Sequence, residues 1–166
     1  EAYSNRGDTL TDLGRLEEAV ASYDKAIQVK PDYAPAYSNR GVALTELGQL
    51  KEAKARYDKA IQLKPDLAEA YSNRGNALTN LGQLEEAVAN CNQAIELQPD
   101  LAQAYCNRGV AQKEMGQLEE AVASYNQAIQ LKPDLVEAHW NLSLVLLLLG
   151  DLRNGWPEYE YGKLIK

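Results

Sequence analysis

The chain holds one histidine, His139, and two cysteines, Cys91 and Cys106. A single histidine cannot assemble a His-based nucleophile system or a His-rich metal site. Two cysteines cannot build a disulfide framework, so a reducing compartment, the cytoplasm, is the expected location. Basic residues are in the minority: 17 Lys and Arg stand against 24 Asp and Glu, a net charge of -7 over 166 residues. Phosphate-backbone binding demands the opposite balance, and nucleic acid is not an expected partner. Long hydrophobic runs are missing as well. The longest, Leu144 to Leu149, has six residues, against the roughly 20 that a membrane-spanning helix requires. No phosphate-cradling loop, zinc-protease helix signature, calcium loop or Cys-x-x-Cys pair occurs. The expectation is therefore no catalytic residue, no metal and no cofactor. The first residues, from Glu1 onward, show no charged start followed by an apolar stretch, so no signal peptide is expected, and Glu1 in place of Met fits an internal residue of something longer. Mean hydropathy of -0.45, with 45% hydrophobic and 25% charged residues, excludes disorder and collagen.

What is present is a repeat. The string AYSNRG begins at Ala2, Ala36 and Ala70, AYCNRG at Ala104 and AHWNLS at Ala138, always 34 residues apart. Residues 34–67 and 68–101 share 23 identities in 34 positions, so these units look recently duplicated. Five units result, at about 1–33, 34–67, 68–101, 102–135 and 136–166, forming one domain.

Within the second unit, Ala36, Tyr37, Gly41, Leu44 and Leu47 recur at three- and four-residue spacing, the apolar stripe of a helix. A turn follows at Gly48. Leu50, Ala53, Tyr57, Ala60 and Ile61 then repeat the spacing until Pro65, which cannot continue a helix. Each unit reads as a helical hairpin, with Gly14, Gly48, Gly82, Gly116 and Gly150 at the turns and Pro31, Pro65, Pro99 and Pro133 closing the first four units. One hairpin buries too little apolar surface to offset backbone entropy of roughly 1–2 kcal/mol per residue, so the units must stack.

In the third unit Tyr71, Gly75, Leu78, Ala87, Cys91, Ala94 and Pro99 occupy a recognisable set of slots. This pattern resembles the tetratricopeptide repeat family over the entire chain. The resemblance implies an all-α fold, a right-handed α-solenoid of about five helix-turn-helix units. It also implies a concave groove lined by the first helices, and a scaffold that binds protein or peptide.

On the side of each first helix away from the apolar stripe, one amide recurs in every unit: Asn5, Asn39, Asn73, Asn107 and Asn141. A carboxamide offers two donors and an acceptor, the complement of a peptide unit. The row is similar to the asparagine ladder in the repeat region of the O-linked N-acetylglucosamine transferases, which hold substrate peptides by their main chain. That resemblance makes all five candidates for a peptide groove, with Ser38, Ser72, Asp8, Asn76, Thr45, Thr79, Glu46 and Lys113 beside them. A plainer reading stands next to it, in which inherited asparagines hydrogen-bond neighbouring helices. Flanking residues Glu1, Asp8, Asp12, Glu46, Glu69, Glu114 and Glu137 face Lys113 alone, which favours a neutral to basic segment. Arg6, Arg40, Arg74 and Arg108 are expected to lay their stems on the apolar stripe and pair with a carbonyl or carboxylate, with anion capture as the alternative.

The fifth unit departs from the others. Trp140, Leu144, Leu147 and Leu148 stand on its groove side where other units are mostly polar, an expected docking surface for a domain, a partner or a second copy. His139 reads as a packing substitution in the aromatic slot. Trp156 and Pro157 are expected to interrupt the second helix, leaving it short or kinked. The ending is similar to the junction in bacterial, including cyanobacterial, proteins where such repeats lead into a glycosyltransferase-like domain; on that reading Lys166 is a cut end. Three functions therefore stay open: a peptide-binding scaffold, the recognition arm of a larger glycosyltransferase-like enzyme, and a self-association module.

Overall fold

The computed structural model describes residues 2–163, and the expectations attached to Glu1 and Lys166 lie outside them. Ten helices and no strand are found among the described residues. They run as five antiparallel pairs: α1 (Ala2–Asp12) with α2 (Leu16–Val29), α3 (Ala34–Glu46) with α4 (Leu50–Leu63), α5 (Ala68–Asn80) with α6 (Leu84–Leu97), α7 (Ala102–Glu114) with α8 (Leu118–Leu131), and α9 (Val136–Leu148) with α10 (Leu152–Lys163). Each pair stacks on the next, and successive first helices α1, α3, α5, α7 and α9 also touch directly. The architecture is an all-α solenoid.

The turns explain the hairpins. Gly48 has φ +72°, the left-handed conformation that glycine adopts without steric cost. The Gln49 amide then reaches back to the Leu44 carbonyl at 2.8 Å and the Gly48 amide to Thr45 at 3.0 Å, which satisfies carbonyls that the helix end leaves without partners. The same turn recurs in all five pairs.

Packing is shared between neighbours. Leu10, Ala19 and Tyr23 bury against Ala43 of the next pair. Leu44, Ala53 and Tyr57 bury against Ala77, and Leu78 and Ala87 against Ala111. None of the first four pairs completes its core without the following first helix, the physical basis of stability through stacking. The glycines of the first helices permit the close approach: a Cβ placed on Gly41 would meet the Tyr57 ring at 2.6 Å.

The fifth pair differs from expectation. Pro157 lies inside α10 without interrupting it, and the helix runs unbroken from Leu152 to Lys163. The Asp151 side chain caps its start by accepting the Asn154 amide at 3.2 Å. Pro157 therefore removes one rung close to a secured helix start. Gly155, where other units have Ala, leaves room for Leu147, whose Cδ2 would lie 2.9 Å from an added Cβ.

Candidate functional site

The repeated arginines work between units. Arg40 is 8% exposed, with Nε donating to Asp24 at 2.8 Å and Nη1 to Glu52 at 2.9 Å. Arg74 donates to Asn90 at 2.7 Å and to Asp58 at 2.5 Å. Arg108 donates to Ser124 and to Asn92, both at 3.0 Å. Asp24, Asp58 and Asn92 each sit 16 residues before the arginine they receive, so the guanidinium clasps the second helix of the preceding pair. Arg6 on α1 is exposed. In the fifth pair Leu142 replaces the arginine and is buried.

The amide row divides. Asn107 is buried; its Nδ2 donates to the Ser72 carbonyl at 3.1 Å and to the Ser72 hydroxyl at 3.0 Å, while its Oδ1 accepts from Gln103. Asn141 is half-buried and stands one pair on from Cys106, which fills the serine slot there. Asn39 Nδ2 donates to Asp8 Oδ1 at 2.8 Å, and Tyr23 donates its hydroxyl to that same oxygen at 2.8 Å. Asn5 is exposed, and Asn73 is half-buried with no hydrogen-bond partner among the described residues. The five candidates are therefore not equivalent in the structure. Direct contact between successive first helices brings the amide of one against the serine slot of the one before, so Asn107 and Ser72 are consumed internally.

Two other expected liners also turn inward. Thr79 is buried and Thr45 half-buried, and their hydroxyls donate to the carbonyls of Gly75 and Gly41 at 3.0 and 2.9 Å. Thr45 also meets the Tyr57 hydroxyl at 3.2 Å. Burial, partly offset by that bond, pushes the Tyr57 phenol far above its ordinary range. Asn76 and Glu46 are exposed, and Ser38 is buried at the floor of a cleft.

Among the described residues, three of the openings lie along the first helices. The first, about 370 Å³, is lined by Pro35, Ser38, Asn39, Leu67, Glu69 and Asn73. The second, about 210 Å³, lies toward α1, between Asp8, Thr11, Asp12, Tyr23, Asn39 and Val42. The third, about 530 Å³, lies toward α9 and is lined by Lys113, Leu118, Leu144, Leu147 and Leu148. Thr11, Tyr23, Leu67 and Leu118 escaped sequence reasoning, because they enter from the turn side or from second helices.

Trp140 does not join the three leucines. It stacks on Tyr159 with ring centroids 5.1 Å apart, and Gly162 packs against it. The cause lies one helical turn away. Ser143 replaces the first-helix glycine of other units and is fully buried, so Tyr159 cannot take the seat that Tyr125 holds over Gly109 and settles on the indole instead. His139 is held by packing partners as expected: Nε2 lies 2.9 Å from the Pro133 carbonyl, where Tyr37 and Tyr105 donate to Pro31 and Pro99 at 3.1 Å. Its Nδ1 meets the Glu158 carboxylate.

Among the described residues no group of His, Cys, Asp or Glu is placed to hold a metal ion. No described helix is long and apolar enough to cross a membrane.

Comparison with known proteins places these features. No curated protein matches the chain. A thermophilic TPR protein of Thermus thermophilus is similar in structure, at 23% identity and TM-score 0.89, over 97% of this chain and 88% of that one. PilF of Pseudomonas aeruginosa is similar at 21% identity and TM-score 0.85, over 98% and 74%. YrrB, described as a TPR protein with an unusual peptide-binding site, is similar at 24% identity and TM-score 0.66, over 96% and 82%. The TPR repeat family model matches residues 7–48, 41–82, 75–116 and 113–150. Hairpin geometry, turn glycines and that match agree, and the chain belongs to the tetratricopeptide repeat family.

Proposed function

We propose that the chain is a non-catalytic interaction scaffold that holds an extended polypeptide segment along the face built by its first helices. The observation that carries this reading is the cleft of about 370 Å³ in which Asn39 and Asn73 lie with Ser38 and Glu69. The Asn73 carboxamide has no partner among the described residues, and an unpaired amide at a cleft wall is suited to a peptide N–H and C=O. Exposed Asn5 extends the row toward the first helix. Asn107 serves the fold. The family membership and the likeness to YrrB support the reading.

The segment is neutral to basic. Asp8, Asp12 and Glu69 line these openings, and opposite charge favours encounter and register. The test is selection from a random 12-residue peptide library on the purified chain, followed by calorimetry on the selected peptides. Asn39→Ala with Asn73→Ala should weaken binding about tenfold, on the order of 1.4 kcal/mol, with the helical signal intact. Undiminished binding by the double variant would overturn the proposal.

A further inference from the structure

The face that would hold the segment changes chemistry from one end to the other. At α1 the opening is polar and acidic: Asp8 and Asp12 line it, with Thr11 and the Tyr23 hydroxyl beside them. At α9 the corresponding positions are Leu144, Leu147 and Leu148, which with Leu118 and Lys113 line an apolar cleft of about 530 Å³. Leu148 is 70% exposed. The Leu144 position holds Asp8, Val42, Asn76 and Val110 in the other units, but the Leu147 position holds Thr11, Thr45, Thr79 and Lys113 and the Leu148 position Asp12, Glu46, Asn80 and Glu114, so the set of three leucines is particular to this unit. Resting on the scaffold reading above, we propose that the groove is directional: it takes a segment with a Lys or Arg side chain at the α1 end and aliphatic side chains in the leucine cleft.

Charge and shape assign that occupant. Nδ2 of Asn39 and the Tyr23 hydroxyl both donate to Asp8 Oδ1. This leaves Oδ2 of Asp8 and the carboxylate of the neighbouring Asp12 for an incoming cation. At the other end Lys113 is already paired with Glu114 at 3.1 Å, so the cleft offers aliphatic contact without an unpaired charge. Packed helices lie about 8–10 Å apart, and four steps separate α1 from α9. The span is about 32–40 Å, which an extended chain covers with about ten to twelve residues.

Two synthetic 12-residue fluorescent peptides of identical composition test this. One carries its Lys and Arg at one end and its Leu and Ile at the other; its isomer interleaves them. Anisotropy should show the segregated peptide binding at least tenfold tighter. Leu148→Glu, at a position whose exposure leaves the core untouched, and Leu144→Asn should each remove most of that preference. Asp12→Asn should flatten the salt dependence of the segregated peptide.

Equal affinity of the two isomers overturns the directional groove and leaves the amide grip standing. Failure of both to bind overturns both readings. Light scattering that shows a dimer dissolved by Leu148→Glu assigns the cleft to a second copy and overturns this proposal.

Discussion

Tyr57 lies over Gly41 so closely that a single added carbon would come within 2.6 Å of its ring. Tyr23 over Gly7 and Tyr125 over Gly109 repeat the relationship. Gly41→Ala therefore sets two effects against each other. Alanine favours the helix by up to about 1 kcal/mol, while overpacking costs about 1–3 kcal/mol. Urea denaturation should show a lower midpoint with an unchanged slope. An unaltered midpoint would mean that the ring swings aside freely.

Cys91 occupies the ring position in the third pair and is fully buried. Burial pushes its thiol up to about 12, and burial raises the Cys106 thiol further. Neither should react with a disulfide reagent at pH 8 while the chain is folded, since the thiolate is the nucleophile. Both should label together as denaturant unfolds the array. Rapid labelling of Cys91 in native buffer would contradict the burial.

The Arg40 clasp predicts an acid effect. The hydrogen bond from Arg40, ahead of its charge and that of Arg56, holds the Glu52 carboxyl below its ordinary 4.5. A depressed folded-state value stabilises above the unfolded value and is lost as pH falls through the folded one. Glu52→Gln should therefore lower the melting temperature at pH 7, and the difference should shrink as pH falls below 4.5 and vanish once the carboxyl is protonated in the folded chain. Glu52 is 41% exposed, so solvent screening keeps its own contribution under about 1 kcal/mol. A gap that persists in acid would place the stabilisation elsewhere.

The stack of Trp140 on Tyr159 predicts a local outcome. In a solenoid each pair depends on its neighbours. Removing a stacking contact worth about 0.5–1.5 kcal/mol by Trp140→Ala should speed amide exchange in α10 by up to about tenfold. Exchange in α3 to α6 should stay as it was. Uniform acceleration along the chain would show a more cooperative fold.

Much of this was legible in the sequence because its signals are local. Gly48 and Pro65 punctuate a hairpin whatever lies beside it, and the stripe Ala36, Tyr37, Gly41 and Leu44 names the buried face. The arginine pairing was legible from an apolar position filled by a long cation. The fate of the amides was not, because it depends on how one unit sits against another. Asn107 and Ser72 are 35 residues apart, and only stacking shows that they meet at 3.0 Å. Trp140 was misplaced for a similar reason. The swap of glycine for Ser143 was visible, but its effect passes through Tyr159 on another helix. Pro157 misled because the Asp151 cap that secures its helix carries only a weak sequence signal.

The shared alanines that seal each core give the middle of the array a modular joint. Leu67 meets Ala68 at the same Pro-Asp-Leu-Ala junction that joins Leu101 to Ala102. Excising residues 68–101 would splice like to like, and inserting another copy would do the same. Groove length is thus adjustable in whole-hairpin increments while the acidic and leucine-lined ends stay put, so copy number acts as a ruler for the distance between them.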